Sequence, residues 1–124
     1  RAYVPESIWP SLKATLLEKM RDVKMGSPEN VETLVSPVIH KASWEKCVSY
    51  IEHAKQSKDC EIITGGKADD SVGYFVEPTI VVTSNPQQKL ICEEIFGPIM
   101  TIHVYVSTQS PFLRSPQTRR MTRL

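Results

Sequence analysis

Segments with helical periodicity alternate along this chain of 124 residues with short apolar segments that have the composition of strands. Apolar residues spaced by three or four positions favour amphipathic helices, whereas short runs rich in Ile, Val, Tyr and Thr favour strands. Helical patterns follow Ser7 and Ser43, and strand patterns occur at 1–4, 61–64, 74–76, 79–82 and 99–106. This alternation predicts an α/β fold.

The first predicted helix carries Ile8, Leu12, Leu16, Met20 and Val23 on one face. We expect Ser7 to be its N-cap, because a serine hydroxyl can accept a hydrogen bond from an unpaired N–H of the first turn. Pro10 is compatible with that turn, whose N–H groups lack partners anyway. Gly26 and Pro28 are expected to end the helix.

The second predicted helix follows a loop over 26–42, in which 37–39 is a short extended piece. Ser43 is its predicted N-cap. Its polar positions include Glu45, Lys46 and Glu52. The helix is therefore amphipathic and should pack on a core. Its apolar stripe comprises Trp44, Cys47, Val48, Ile51 and Ala54.

Turn residues separate the predicted strands in the second half of the chain. Gly65 and Gly66 should close the strand at 61–64, and a polar loop over 67–71 should follow. Pro78 indicates an edge or kink between two strands, since proline lacks a backbone donor. Residues 93–98 are expected to form a compact loop before a buried strand at 99–106.

The composition changes after residue 106. Residues 107–124 hold four Arg and no acid, whereas the preceding part has 11 basic and 14 acidic residues. This polar, basic tail is expected to be disordered, and residues 1–106 to form the folded part. The overall net charge of +1 indicates no particular partner. Without interleaved aromatic residues, the tail arginines do not predict nucleic-acid binding.

Metal, disulfide and membrane sites are not indicated by the sequence. Cys47, Cys60 and Cys92 are odd in number and lack CxxC spacing, which fits a reducing compartment. We expect Cys47 to be buried and Cys92 to be structural filler, and none of the three cysteines to be a nucleophile.

No apolar run approaches the ~18 residues of a membrane span. His40, His53 and His103 should lie at the surface or support other residues, and Asp69-Asp70 should form a polar turn.

The stretch Glu93-Glu94-Ile95-Phe96-Gly97-Pro98 is similar to the signature loop of the aldehyde dehydrogenase superfamily, and Pro78-Thr79-Ile80 precedes it at the usual distance. The segments 65–78 and 3–7 most resemble the pyrroline-5-carboxylate (glutamate-semialdehyde) dehydrogenase branch. The resemblance covers residues 1–106. It implies part of the catalytic domain of that fold, an open, mostly parallel sheet with flanking helices, and NAD as cofactor.

The resemblance also assigns roles to two residues of the loop. A carboxylate only accepts hydrogen bonds and can hold a vicinal diol, so Glu94 is expected to bind the ribose of NAD. Phe96 offers a flat apolar face for the nicotinamide ring. The alternative is that the acidic pair is a solvated loop and that Phe96 is packing.

The same resemblance implies that the parts needed for catalysis lie outside this chain. In the family, the nucleophilic Cys is a few residues before the position of Arg1, the base Glu lies further upstream, and the cofactor half precedes both. The chain begins on an apolar strand without Met, so we expect upstream sequence to be missing. The chain alone should be inactive, with no catalytic residue of its own.

For the parent enzyme, the resemblance implies oxidation of L-glutamate γ-semialdehyde to glutamate in proline catabolism. Its partners would be NAD and a small aldehyde substrate, with no nucleic acid and no membrane, in a homo-oligomer of the mitochondrial matrix. The alternative is a catalytically dead fragment with an interaction or regulatory role. A small binding module with a chance loop match is the third possibility.

Overall fold

The computed structural model of the chain describes residues 1–106, so the expected disorder of 107–124 lies outside the described residues. Six strands and three helices follow in the order β1, α1, α2, β2, β3, β4, β5, α3, β6. The predicted α/β class is confirmed. The strands are β1 Ala2–Pro5, β2 Cys60–Thr64, β3 Ala68–Asp69, β4 Phe75–Val76, β5 Thr79–Thr83 and β6 Ile99–Tyr105; the helices are α1 Trp9–Arg21, α2 Lys41–Gln56 and α3 Lys89–Cys92.

The larger sheet has four strands in the order β1-β6-β5-β2. β6 is one of its two inner strands and pairs in parallel with both β1 and β5, while β2 is antiparallel to β5. The expected mostly parallel sheet is therefore confirmed. β6 is buried on both sides for much of its length, as strands of parallel sheets are.

A separate two-stranded ribbon joins β3 to β4. The predicted loop over 67–71 is thus partly wrong, because Ala68 and Asp69 pair with Val76 and Phe75. Pro78 lies where the chain leaves this ribbon for β5 in the other sheet, which agrees with the predicted kink. Gly65 and Gly66 both have positive φ values, 76° and 91°, and close β2 as expected.

Helix α1 differs from its prediction at both ends. Its N-cap is Ile8, without a side-chain cap, so the assignment of Ser7 is wrong. The N–H groups of Ile8 and Trp9 instead donate to the carbonyls of Pro5 and Glu6. The helix ends at Arg21, well before Gly26. Beyond the helix, the Lys24 carbonyl accepts from two N–H groups of the following loop, those of Leu34 and Val35.

Helix α2 is capped by His40 and not by Ser43 as predicted. The His40 Nδ1 atom accepts the Ser43 N–H at 3.0 Å, so Ser43 lies inside the first turn. The amphipathic character is confirmed by the buried side chains of Cys47, Tyr50, Ile51 and Ala54. Tyr50 was not on the predicted stripe.

The two long helices pack on opposite faces of the four-stranded sheet. Along β5, Ile80 belongs to the core cluster under α1, whereas the next residue, Val81, belongs to the cluster under α2. Successive strand residues point to opposite faces, which explains this division. No helix of residues 1–106 is long and apolar enough to span a membrane.

A third helix, α3, was not predicted because its four residues are too short for a periodic pattern. Its N-cap Gln88 accepts the Lys89 N–H through its side-chain oxygen at 2.6 Å. Leu90 and Ile91 are buried. The helix ends where the loop 93–98 begins, and this loop leads directly into the inner strand β6.

Candidate functional site

The backbone of the loop 93–98 is fixed at both ends by hydrogen bonds. At its start, the Glu93 N–H donates to the Lys89 carbonyl at 2.9 Å. At its end, the Pro98 carbonyl accepts the N–H of Thr79 in β5, also at 2.9 Å. The predicted compact loop is confirmed, and its side chains have defined directions.

The two neighbouring carboxylates of this loop have different environments. Glu93 accepts a short hydrogen bond from the hydroxyl of Tyr50 in α2. Glu94 is exposed, and its carboxylate has no hydrogen bond or ion pair within residues 1–106. Its backbone carbonyl accepts from Lys46 Nζ at 2.9 Å. Of the two, only Glu94 therefore has a carboxylate without a partner within the described residues.

The contact with Glu93 affects the acidity of Tyr50. The hydrogen bond to the Glu93 carboxylate, followed by burial and by the negative charge, raises the pKa of Tyr50 above its usual 10.0. Lys89 Nζ lies 5.0 Å from the centre of the Tyr50 ring, within the range of a cation–π contact. The phenol is thus held as a protonated donor.

Phe96 presents its ring to solvent from an uncommon backbone conformation. Its φ of 61° is the only positive value of a non-glycine residue among the described residues, and the side chain is 84% exposed. A left-handed conformation costs a non-glycine residue roughly 1–2 kcal/mol. Such strain at an exposed aromatic residue is typical of functional loops.

Gly97 allows the loop to lie directly on helix α2. A Cβ added at this position would overlap the Sγ atom of Cys47. Cys47 is fully buried, as predicted, and burial raises the pKa of its thiol. The cysteine is therefore a packing residue under the loop and is poorly suited to act as a nucleophile.

A cavity of about 220 Å³ lies beside the loop. Glu93, Glu94 and Phe96 line it together with Arg1 and Thr101. Thr101 is 1% exposed, and its hydroxyl has no hydrogen-bond partner within the described residues. The structure thus brings both predicted cofactor residues to one cavity, and their role in binding stays a prediction.

The other cysteines and histidines lie apart from this cavity. Cys92 is exposed, with Sγ 3.9 Å from the Pro86 carbonyl, so it is not the packed filler that was expected. His103 is buried, and its Nδ1 donates to the Thr83 carbonyl at 3.1 Å, where a surface or supporting role was predicted. No group of three His, Cys, Asp or Glu in residues 1–106 is arranged to hold a metal ion.

Three contributors to the site were missed in the sequence: Tyr50, Lys46 and Thr101. Tyr50 is 43 residues from Glu93, and nothing in the local sequence links the two. Arg1 also contacts this region, since its guanidinium donates to the Ile91 carbonyl. The one available signal was that Lys46 and Cys47 lie four and three residues before Tyr50, spacings that place side chains beside each other on a helix.

Comparison with known proteins identifies the chain at the family level. The model described as "Aldehyde dehydrogenase family" matches residues 1–111. The mitochondrial delta-1-pyrroline-5-carboxylate dehydrogenase of Dictyostelium discoideum is 52% identical over 105 residues, which are 85% of this chain and 19% of that protein. The chain spans about a fifth of the length of the curated relatives that it matches.

Solved structures share both fold and sequence with the chain. The crystal structure of the delta-pyrroline-5-carboxylate dehydrogenase from Mycobacterium tuberculosis has a TM-score of 0.81 and 30% identity, covering 91% of this chain and 21% of that one. The structure of that enzyme bound with NAD has a TM-score of 0.77 and 30% identity, covering 92% and 20%. These matches and the family model agree, and the chain belongs to the aldehyde dehydrogenase family.

Proposed function

We propose that this chain is a segment of an NAD-dependent dehydrogenase that oxidises L-glutamate γ-semialdehyde, the open form of pyrroline-5-carboxylate, to glutamate in proline catabolism. The similarity to relatives with that name supports the substrate. The observation that carries the proposal is the pairing of an available carboxylate, Glu94, with an exposed aromatic ring, Phe96, on one cavity.

The residues of this cavity fit a nicotinamide nucleotide. A ribose diol offers two donors, and the Glu94 carboxylate is an acceptor that no cation or donor within residues 1–106 occupies. An exposed Phe96 ring suits contact with a flat heterocycle. NAD, when bound, accepts a hydride. Glu94 would hold its ribose, and Phe96 would restrict the position of its ring.

We further propose that the 124 residues do not oxidise aldehyde alone. An aldehyde dehydrogenase of this type needs a thiolate nucleophile and a base. Cys47 is buried with a raised pKa, and neither Cys60 nor Cys92 has a hydrogen bond to a histidine or carboxylate within the described residues. Residues 1–106 form the family segment in this proposal, and 107–124 a basic tail without a catalytic role.

The mitochondrial matrix and a homo-oligomer are the proposed setting of the parent enzyme. The first follows from the relatives of Dictyostelium discoideum and Homo sapiens, which are called mitochondrial. The second rests on the family resemblance alone. The proposed partners are NAD and the aldehyde.

The substitution Glu94→Gln in the full-length enzyme that carries this segment tests the assignment of the cofactor site. Losing a charged acceptor costs about 1.5–3 kcal/mol, which corresponds to roughly a 10- to 100-fold rise in the dissociation constant of NAD. Glu18→Gln is the matched control, because Glu18 is an exposed carboxylate of α1 without a partner in the described structure. Equal NAD affinity of the two variants would overturn the proposal.

A non-catalytic fragment that binds another chain is the second candidate. Its support is β2, which forms one edge of the described sheet and leaves backbone groups open to pairing. Adding the purified 124-residue chain to the full-length enzyme separates the two functions. We expect neither turnover by the chain nor a change in the rate of the enzyme; binding with inhibition would favour the second candidate.

A further inference from the structure

Helix α2 holds the loop 93–98 through three residues of one side. The Tyr50 hydroxyl donates to the Glu93 carboxylate, and the Lys46 ammonium donates to the Glu94 carbonyl at 2.9 Å. Between them, the Cys47 thiol packs where a side chain on Gly97 would otherwise lie. The loop is thus attached to α2 through the Glu93 side chain, the Glu94 carbonyl and the Cα of Gly97.

The conformation of Glu93 connects these contacts to its neighbour. Glu93 is extended, with φ −100° and ψ 154°, and in extended backbone successive side chains point to opposite sides. Because Tyr50 holds the Glu93 side chain toward α2, we expect the Glu94 side chain to project to the other side of the backbone. Consistent with this, the Glu93 carboxylate has a hydrogen-bond partner in α2, and the Glu94 carboxylate has none within the described residues.

The contact also makes the two carboxylates of the loop unequal, although Glu93 and Glu94 both line the cavity. Two adjacent carboxylates without partners would repel each other and would compete for the same donors. The Tyr50 hydroxyl donates to one oxygen of Glu93, and the Lys89 ammonium lies 5.0 Å from the centre of the Tyr50 ring. Glu94 is the carboxylate of the pair whose oxygens both lack a partner within the described residues, and it lines the cavity with Phe96.

We propose that Tyr50 is a positioning residue for NAD: by holding Glu93 against α2, its hydroxyl directs the Glu94 carboxylate toward the ribose. This inference rests on the proposed function of Glu94. Tyr50 does not touch the nucleotide, and it acts through the orientation of the loop.

Tyr50→Phe in the full-length enzyme removes the hydroxyl and keeps the ring in the core. We expect the dissociation constant of NAD, measured by calorimetry without aldehyde, to rise about three- to tenfold. The KM for NAD should rise by a similar factor, while kcat stays within about twofold, since the reacting groups are untouched. A purely structural role would lower the thermal midpoint and kcat without this selective loss of NAD affinity.

Tyr105→Phe is the matched control. Tyr105 lies at the far end of β6, seven residues and roughly 23 Å from the end of the loop, and its hydroxyl has no partner in the described structure. Glu93→Gln is the conservative test, because an amide oxygen still accepts from Tyr50. We expect it to bind NAD within about twofold of the wild type, and Glu93→Ala to bind as weakly as Tyr50→Phe.

Hydrogen exchange on the 124-residue chain gives a readout that needs no NAD. In Tyr50→Phe, the amides of residues 94–97 should exchange at least about threefold faster than in Tyr105→Phe. If Glu94→Gln weakens NAD binding but Tyr50→Phe behaves like Tyr105→Phe, the inference is wrong and the proposed function stands. If Glu94→Gln has no effect, the proposed function fails, whatever Tyr50 does.

Discussion

Helices α1 and α2 cover opposite faces of one sheet but are packed very differently. Helix α2 has four buried side chains, whereas α1 has none and covers its face with half-buried residues such as Leu12 and Leu16. The loop with Glu94 and Phe96 is attached to α2. The tightly packed face therefore carries the candidate site, as expected if a binding site needs a rigid support.

The largest difference between the faces should appear when one apolar side chain is truncated on each helix. Ile51 is 2% exposed, so Ile51→Ala should cost about 3 kcal/mol in the free energy of unfolding. Leu16→Ala removes the same number of carbons from a half-buried position and should cost about half as much. Urea unfolding of the two variants measures this, and equal losses would contradict the comparison.

A second prediction concerns the contact between α2 and the loop. Gly97→Ala should cost about 1–3 kcal/mol, because the new methyl group overlaps the Cys47 sulfur. Adding Cys47→Ala should restore much of this loss, since the new methyl would then meet only the Cβ of residue 47, at 3.9 Å. The double-mutant cycle gives the coupling directly. If the losses of the two single variants are additive, the contact between residues 97 and 47 does not determine how closely the loop packs on α2.

A third prediction is that the α2 face loses stability in alkali. A phenol whose pKa is raised on folding contributes stability that is complete below its unfolded value, here 10.0, and is lost as the pH rises through the higher folded value. The charged groups facing Tyr50 are Glu93 and Lys89. Unfolding free energies measured from pH 8 to 11 should therefore fall more steeply for the wild type than for Tyr50→Phe.

At neutral pH, Tyr50→Phe should itself cost about 1 kcal/mol, since the exposed Glu93 carboxylate can be hydrated when the hydroxyl is removed. Parallel pH profiles of the two proteins would mean that Tyr50 does not ionise in this range.

The smallest effect is expected on the α1 face. Lys13 Nζ lies 3.3 Å from the Glu61 carboxylate of β2, and the two side chains are 33% and 66% exposed. Such a pair contributes less than about 1 kcal/mol and is screened by salt. Glu61→Gln should lower the unfolding free energy by that amount at low salt and by less in 1 M NaCl. A loss above that of Leu16→Ala would mean that α1 is held mainly by charge.

The sequence predicted those parts of the fold that depend on local periodicity. The stripe of α2 and the apolar strand β6 were found because their spacing is regular over many residues. The caps were wrong, since Ser7 and Ser43 are preferred cap residues but the turns after Pro5 and at His40 provide other partners. At both helix starts, other local hydrogen bonds replaced the predicted serine caps.

For the candidate site, the sequence identified the loop but not the residues of α2 that hold it in place. Glu94 and Phe96 were assigned from a contiguous motif, whereas the contact of Tyr50 with Glu93 joins positions 43 residues apart. No local pattern separates Glu93 from Glu94. Their difference arises only when α2 packs beside the loop and one carboxylate gains a phenol donor.

The pairing of β1 with β6 also has a consequence for protein synthesis. Ala2 lies opposite Ile102, so β1 cannot join the sheet until almost the whole folded segment has been translated. At about 5–20 residues per second, this delay lasts roughly 5–20 s. During that time the apolar strand would be without its neighbour on the ribosome and open to chaperones. The register of β1 therefore depends on a strand that emerges 100 residues after Ala2.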